Sequence, residues 1–361
     1  MLRYREIKLA LIEMVSMMKP GDRLPSRNWL CHKLETTRTT LDKAVRELVE
    51  EKVLVSVKGS GTRVVGMIEG TVQEAENWCV IVPDAMEEIY ISLLKGIEKV
   101  SEQSGTNTII CSSHNNGDKQ EQYIKRMMVS GIDGFIIVPI VSFDARESLR
   151  LYENLVCSKI PFVFCNREVE GVEAPVVKSN DFYGGLIATR HLIRMGYRRI
   201  AYVCEQKYTT SIERCQGYVS ALLEEQMEIN RRYMLIPSLG QQQDCYQSVL
   251  QLLTSEQPPD ALFCFNDTIA VEAMRAVHDA GKRISQDVGV IGYDDTSVCL
   301  ETKPHLTSIA YKSNEIGETA AGLLKKISHG IEPSTHFTYY LFQPELVVRS
   351  SCMGPETILQ E

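Results

Sequence analysis

The stretch from Gly21 to Arg63, GDRLPSRNWLCHKLETTRTTLDKAVRELVEEKVLVSVKGSGTR, decides how the N-terminal part of the chain is read. Pro20-Gly21-Asp22 is a turn signal, and Ser26 follows a proline at a favoured N-cap position. A short helix with apolar spacing then runs through Trp29, Leu30 and Leu34. Thr36 or Thr37 can cap a second helix, in which Leu41, Val45, Leu48 and Val49 fall at i, i+4, i+7 and i+8, on one helical face. Its other face carries Arg38, Thr39, Lys43 and Arg46. Two β-rich runs, Val53–Val57 and Thr62–Val65, flank Lys58-Gly59-Ser60-Gly61, a hairpin tip with a cation and two glycines. Two helices followed by a basic hairpin describe a winged helix-turn-helix, whose second helix enters the major groove of duplex DNA.

The charge distribution agrees with that reading. The formal net charge of -8 looks wrong for a nucleic-acid binder. Residues 1–66, however, hold 13 Lys+Arg against 8 Asp+Glu, and the remainder holds 26 against 39. The basic segment has the DNA-reading shape, while the acidic bulk resists indiscriminate DNA binding. The length of 361 residues leaves room for two or three domains, and 44% apolar with 24% charged residues is ordinary for a soluble globular chain.

The same residues resemble the GntR family of bacterial transcription factors. A tyrosine-bearing first helix from Tyr4 to Met18 precedes PGDRLPSRN, TRTTLDKAVREL and GSGTRV, in the family's order and spacing. Two positions depart from it. The family's Glu-Arg after Pro-Ser is Arg27-Asn28, which displaces its phosphate-binding arginine by one. The arginine often found four residues into the recognition helix is Asp42, beside Lys43. The resemblance implies a recognition helix over Arg38–Glu51 with Thr39, Thr40 and Lys43 nearest base edges. Arg27, Arg38 and the wing residues Lys58, Gly59, Ser60 and Thr62 are expected at phosphates or in the minor groove.

Residues 67–76 lack a sustained apolar period and read as a linker. From Trp78 onward short apolar runs alternate with amphipathic stretches. WCVIVP, NTIICS, GFIIVP, IPFVFC, PVVKS, RIAYVC, YMLI, DALFCF and DVGVIGY are strand candidates. Helical patterns lie between them at Met86–Ser104, Lys119–Ser130, Arg146–Ser158, Phe182–Met195, Ile212–Gln226, Cys245–Thr254 and Thr268–Ala280. Apolar strands without strict alternation are expected of parallel sheets covered on both faces, and this length suits two sheet-centred lobes.

Ligands of open parallel sheets sit beyond the carboxyl ends of the strands. Asp84, Asn166-Arg167, Asn266-Asp267 and Asp294-Asp295 follow strands directly, and Arg214 opens the helix after Cys204. Such groups donate to and accept from several hydroxyls at once, as a sugar or other polyol requires. The competing reading is that they are helix N-caps, and for Asn266-Asp267 the two readings weigh evenly.

The segments NDFYGGLIATRHLIRMGYRRIAYV, ERCQGYVSAL, PPDALFCFNDTIAVEAMRAVHDAGKRISQDVGVIGYDD, KPHLTSIAY and ELVVRSSC resemble the LacI/GalR effector domain, a periplasmic-binding-protein fold. Joined to a GntR-type head, this body resembles the arabinose-repressor subgroup. The resemblance places the effector contacts on Asn166, Arg214, Asn266, Asp294 and Tyr311, and the effector-binding set is completed by Asp84, Tyr90 and Arg167. The family's Asp-Asn before the F-Y-G-G helix is Asn180-Asp181 here. Dimerisation through the body is implied too, with lobe closure altering the spacing of two heads.

Other chemistry has little support. Eleven cysteines are scattered singly, most in apolar runs such as Cys79, Cys165, Cys204 and Cys264, without metal-ligand spacing. They read as reduced structural thiols of a cytosolic protein. GSGTRVVG lacks a phosphate-loop lysine, His191 sits mid-helix, and neither G-x-S-x-G nor H-E-x-x-H occurs. Neither a secretion signal nor a membrane span is evident.

The expectation is therefore an α/β chain that is not an enzyme and needs no cofactor or metal. A DNA-binding winged helix-turn-helix over 1–66 precedes the linker, and an effector-binding and dimerisation domain spans 77–352, with a tail over 353–361. It is expected to be a cytoplasmic, homodimeric regulator, a repressor of operator DNA controlled by a small carbohydrate such as a pentose. Sensing of a purine or sugar phosphate is the alternative, and a solute-binding protein is a more distant one.

Overall fold

The structure is a computed structural model that describes residues 7–8, 10–12, 14–15, 18–50, 52–57, 61–65, 75–141, 145–205, 209–238, 243–331 and 339–354. The chain divides into two compact units, Met1–Ala75 and Glu76–Glu361. The expected linker over 67–76 lies largely outside the described residues, as does most of the C-terminal tail.

In the first unit, helical residues between 7 and 15 precede α1 (Arg27–Lys33), α2 (Arg38–Glu50) and the antiparallel strands β1 (Leu54–Val57) and β2 (Gly61–Val64). Ser26 caps α1 by accepting from the Trp29 amide at 3.3 Å. Thr37, rather than Thr36, caps α2, its Oγ1 accepting from the Thr40 amide at 3.4 Å. Both caps satisfy amide groups that a helix start leaves unpaired. Leu41, Ala44, Val45 and Leu48 of α2 bury against Leu11, Leu30, Leu54 and Val64. The apolar period of α2 thus turns its charged face outward.

The second unit runs β3 (Asn77–Val82), α3 (Glu88–Ser104), β4 (Asn107–Ser112), α4 (Gly117–Val129), β5 (Gly134–Ile137), α5 (Ala145–Cys157), β6 (Phe162–Cys165) and β7 (Val176–Ser179). It continues with α6 (Asp181–Arg194), β8 (Ile200–Val203), α7 (Thr209–Glu224), β9 (Met234–Leu235), α8 (Cys245–Leu253), β10 (Ala261–Cys264), α9 (Asp267–Asp279) and β11 (Gly289–Ile291). The chain ends through α10 (Val298–Glu301), β12 (Ser308–Ala310), α11 (Ser313–Ser328), β13 (Tyr339–Phe342) and β14 (Glu345–Val347).

Two parallel sheets result. The first lobe has the order β13-β7-β6-β5-β3-β4, and the second has β11-β10-β8-β9. Every residue of β5, β8 and β10 is buried, which is why those strands read as unbroken apolar runs; β7 is buried too, with Lys178 paired to Glu213. The chain passes between lobes after β7, after β12 and after β13. Adjacent passages are tied together: the Asn180 amide donates to the Phe342 carbonyl at 2.8 Å, and Asn180 Nδ2 donates to Gln343 Oε1 at 3.2 Å. Asn180 also caps α6. The departure from the family's Asp-Asn pair therefore keeps a hinge hydrogen bond.

The last crossings show what sequence reading passed over. Helix α11 was not among the expected helices, yet it packs on α3, β5, β6 and β7 of the first lobe. It meets α3 where neither helix has a side chain. A Cβ on Gly96 would lie 2.1 Å from the Asn314 carbonyl oxygen, and one on Gly317 would lie 2.2 Å from that of Leu93. The second lobe repeats the device between α6 and α7, with Gly185 against the Arg214 carbonyl and Gly217 against that of Phe182. Overpacking costs about 1–3 kcal/mol or more when backbone must move. Gly96→Ala and Gly317→Ala are predicted to lower the melting temperature clearly. Gly322→Ala, on α11 with open space around it, leaves the melting temperature unchanged or raises it. Equal effects at the three sites in a thermal melt would contradict the close crossing.

Candidate functional site

On the first unit, Arg38, Thr39 and Lys43 stand exposed on α2. Thr40 is half-buried, its hydroxyl 2.9 Å from that of Thr37. Arg27 is more constrained than expected: its Nε donates to Asp42 Oδ1 at 2.9 Å and its guanidinium to Thr62 Oγ1 at 3.2 Å. Thr62 is buried and turned inward, so it holds Arg27 and is not presented as a wing contact. The expected wing residues Lys58, Gly59 and Ser60 lie outside the described residues. Arg23, which was not among the expected contacts, joins Arg27 in lining an open notch with Pro25, Ser26 and Gly61. Gly61 has φ +88°, and a Cβ there would lie 2.9 Å from Arg23 Nε.

In the second unit a cleft of about 290 Å³ opens between the lobes at the carboxyl ends of their strands. Tyr90, Asn166, Arg167, Arg214, Asn266, Asp294 and Tyr311 all line it, Asn166 and Arg167 together after β6 and the others from separate elements. Asp84 does not. Its carboxylate accepts from the Met86 amide at 2.9 Å and shapes the turn before α3, so the expected contact at Asp84 is a local turn bond. That turn also explains why α3 starts at Glu88 rather than at Met86.

Arg214 is the centre of the second lobe's share. It is 3% exposed, donates from Nε to Asp181 Oδ1 at 2.7 Å and from Nη1 to the Phe265 carbonyl. Asp294 Oδ1 lies 3.7 Å from Nη2. The guanidinium also sits 3.5 Å over the Tyr293 ring and 4.5 Å over the Phe265 ring. Burial alone would lower its pKa, but Asp181, Tyr293 and Asp294 overcome that and keep it charged. Asp294 shows the reverse balance, with burial pushing its carboxyl well above the ordinary range against the pull of Arg214.

The loop bearing Asp294 is fixed by Asp267, whose Oδ1 accepts from Ser308 Oγ at 2.6 Å and Oδ2 from the Thr296 amide at 2.8 Å. Asn266 fulfils its helix-capping reading, its Oδ1 accepting from the Ile269 amide at 2.9 Å, while the residue still lines the cleft. From the first lobe, Asn166 is buried at φ +63°, and its Oδ1 finds no partner among the described residues. Glu87, Asn115, Glu205, Thr210 and Phe265 also line the cleft and escaped sequence reading. Asn115, Glu205 and Phe265 follow β4, β8 and β10, so the strand-end rule could have found them. Glu87 is raised above the usual carboxylate range by burial and by Asp84, against Arg167.

Among the described residues no cluster of His, Cys, Asp or Glu could hold a metal, and no helix is long and apolar enough to cross a membrane. Residues 3–64 match bacterial regulatory proteins of the gntR family, and residues 189–352 match the periplasmic binding protein-like domain. The chain is 30% identical over 298 residues to an HTH-type transcriptional repressor PurR of Haemophilus influenzae, covering 82% of this chain and 83% of that protein. The chain belongs to the LacI-family transcriptional repressors and carries a GntR-family head. The repressor is also 25% identical to an arabinose metabolism transcriptional repressor of Geobacillus stearothermophilus over 357 residues, 97% of each chain. A LacI family transcriptional regulator from Enterococcus faecium, solved with bound ribose, superposes with a TM-score of 0.64 at 30% identity, covering 78% of this chain and 99% of that one. These relatives are regulators of transcription, not enzymes.

The raised Asp294 carboxyl gives a signed prediction. A carboxyl with a higher pKa in the folded state than in the unfolded one contributes stability at low pH that is lost as pH rises through the folded value. Asp294→Asn removes that loss. Removing a partner of Arg214 carries its own constant cost, but the empty variant is predicted to gain on the wild type in melting temperature as pH rises from the ordinary carboxylate range to neutral. A wild type that gains on the variant as pH rises would contradict the burial assigned to Asp294.

Proposed function

We propose that a small neutral carbohydrate of pentose size, held in this cleft, sets the repressor's affinity for its operator. The observation that carries the reading is the lining itself. Acceptors on Asp294, Glu87, Glu205 and Asn166 face donors on Arg167 and Arg214, beside the rings of Tyr90, Phe265 and Tyr311. Sugars need this mixture of hydroxyl-binding groups and flat apolar walls. The volume lies at the small end for ligand sites. The ribose held by the E. faecium regulator and the arabinose in the Geobacillus repressor's name support the same class.

A phosphorylated effector fits less well. Arg214 is already committed to Asp181 and Asp294, Arg167 donates to the Pro139 carbonyl, and the lining also holds the carboxylates Glu87 and Glu205. A dianion would meet an acidic lining. Differential binding of effector to two states of the body would then shift operator affinity, with coupling of roughly 1–3 kcal/mol giving about 5–150-fold. The proposed action is cytoplasmic, on operator DNA.

The test is a thermal-shift screen of the full chain against pentoses, hexoses, their phosphates and nucleobases. A ligand that binds the native state stabilises it by about 2.7 kcal/mol at 100 times its Kd. A free pentose is expected to stabilise more than its phosphate. Arg214→Ala would not isolate the contact, because it leaves buried Asp181 and Asp294 without their cation. Asn166→Gly does, since glycine accepts the positive φ while removing the amide. It is predicted to weaken the effector about tenfold and to leave ligand-free operator binding intact. Stabilisation by phosphates or nucleobases alone would overturn the assignment.

The repressor is further proposed to act as a homodimer through the first lobe. Strand β4 is an open sheet edge with Ile109 and Ile110 40% and 50% exposed, and α3 beside it holds Ile91 and Leu94 only half-buried. A two-fold contact would cover them and match a palindromic operator. Sedimentation of the full chain at micromolar concentration is expected to show a dimer that Ile110→Lys weakens, and a wild-type monomer would refute it.

A further inference from the structure

The recognition helix carries a carboxylate where it faces outward among cations, and that carboxylate is occupied. Asp42 Oδ1 accepts from Arg27 Nε at 2.9 Å, and Oδ2 lies 3.8 Å from Arg38 Nε. Arg27 in turn reaches Thr62 on the wing at 3.2 Å. Arg27 thus ties α1, α2 and the wing together, while the one negative charge of Asp42 is shared between two guanidinium groups on the DNA-reading side. The contacts are partly open to water, with 44% of the Asp42 side chain and 72% of Arg38 exposed. They are therefore exchangeable rather than locked.

Sequence-independent DNA affinity grows with the number of phosphates a protein neutralises, whereas discrimination comes from base edges. A carboxylate that holds arginines, and that also repels phosphate, lowers the first term more than the second. We infer that Asp42 is a specificity-determining residue of the head: by holding Arg27 and Arg38 it restrains attraction to arbitrary DNA and widens the gap between operator and non-operator sequence. Arg27 is accordingly a positioning residue, which seats the wing on the recognition helix.

The experiment uses the full chain and two duplexes: one that the wild type enriches from a randomised pool, and one of scrambled sequence. Anisotropy titrations between roughly 50 and 200 mM salt give affinity and its log–log slope for each. Asp42→Asn is expected to bind the scrambled duplex at least about fivefold more tightly at the low-salt end. Its slope should steepen by about one to two units, near 0.9 for each phosphate gained. Operator affinity rises less, so the selectivity ratio falls. Asp42→Ala, which removes the charge without adding an amide, must move both quantities the same way. Asp42→Glu retains the wild-type slope, and Arg38→Ala in the D42N background returns part of the gain. An unchanged slope and scrambled-duplex affinity in both D42N and D42A, or a Glu variant that behaves like them, would overturn the inference.

Discussion

A buried guanidinium is the constraint on which the effector body depends. Moving such an ion out of water costs several kcal/mol even after relaxation, and only well-placed partners offset it. Arg214, on α7, obtains them from three other places in its lobe. Asp181 begins α6, the Phe265 carbonyl follows β10, and Asp294 follows β11. Two aromatic faces complete the enclosure. The geometry is available because α6 and α7 cross on bare backbone at Gly185 and Gly217, which brings Arg214 down onto Asp181. A side chain at that crossing would separate the helices and strand the charge. The packing of the lobe and the chemistry of the cleft are therefore a single problem with a single solution.

The head uses ion pairs in the opposite regime. Arg27, Arg38 and Asp42 meet at the surface, where water screens them and each is worth little to stability. Their weakness makes them useful for recognition, because a phosphate can compete for the same guanidinium. Burial makes the Arg214 network a fixed part of the structure, and exposure makes the Asp42 network adjustable.

Much of this was legible in the sequence for local reasons. Helical period and caps gave α2 and its outward face, and apolar runs gave the buried strands β5, β8 and β10. The strand-end rule brought Asn166, Arg214, Asn266 and Asp294 to one cleft. What escaped depends on which way side chains turn and on the partners they find in the fold. The start of α11 is polar at Ser313, Asn314 and Glu315, so the helix did not stand out, yet Gly317 is what lets it rest on α3. Asp84 looked like a ligand group but closes its own turn, and Thr62 looked like a wing contact but lies under Arg27. Spacing along the chain does not report which way such side chains turn.

Hydrogen–deuterium exchange of the full chain, with and without saturating free pentose, tests the central claim most directly. The account predicts protection at 87–90, 166–167, 265–269 and 294–296, the segments that the cleft joins from both lobes. Protection confined to other segments, in a chain that the same pentose demonstrably stabilises, would contradict it.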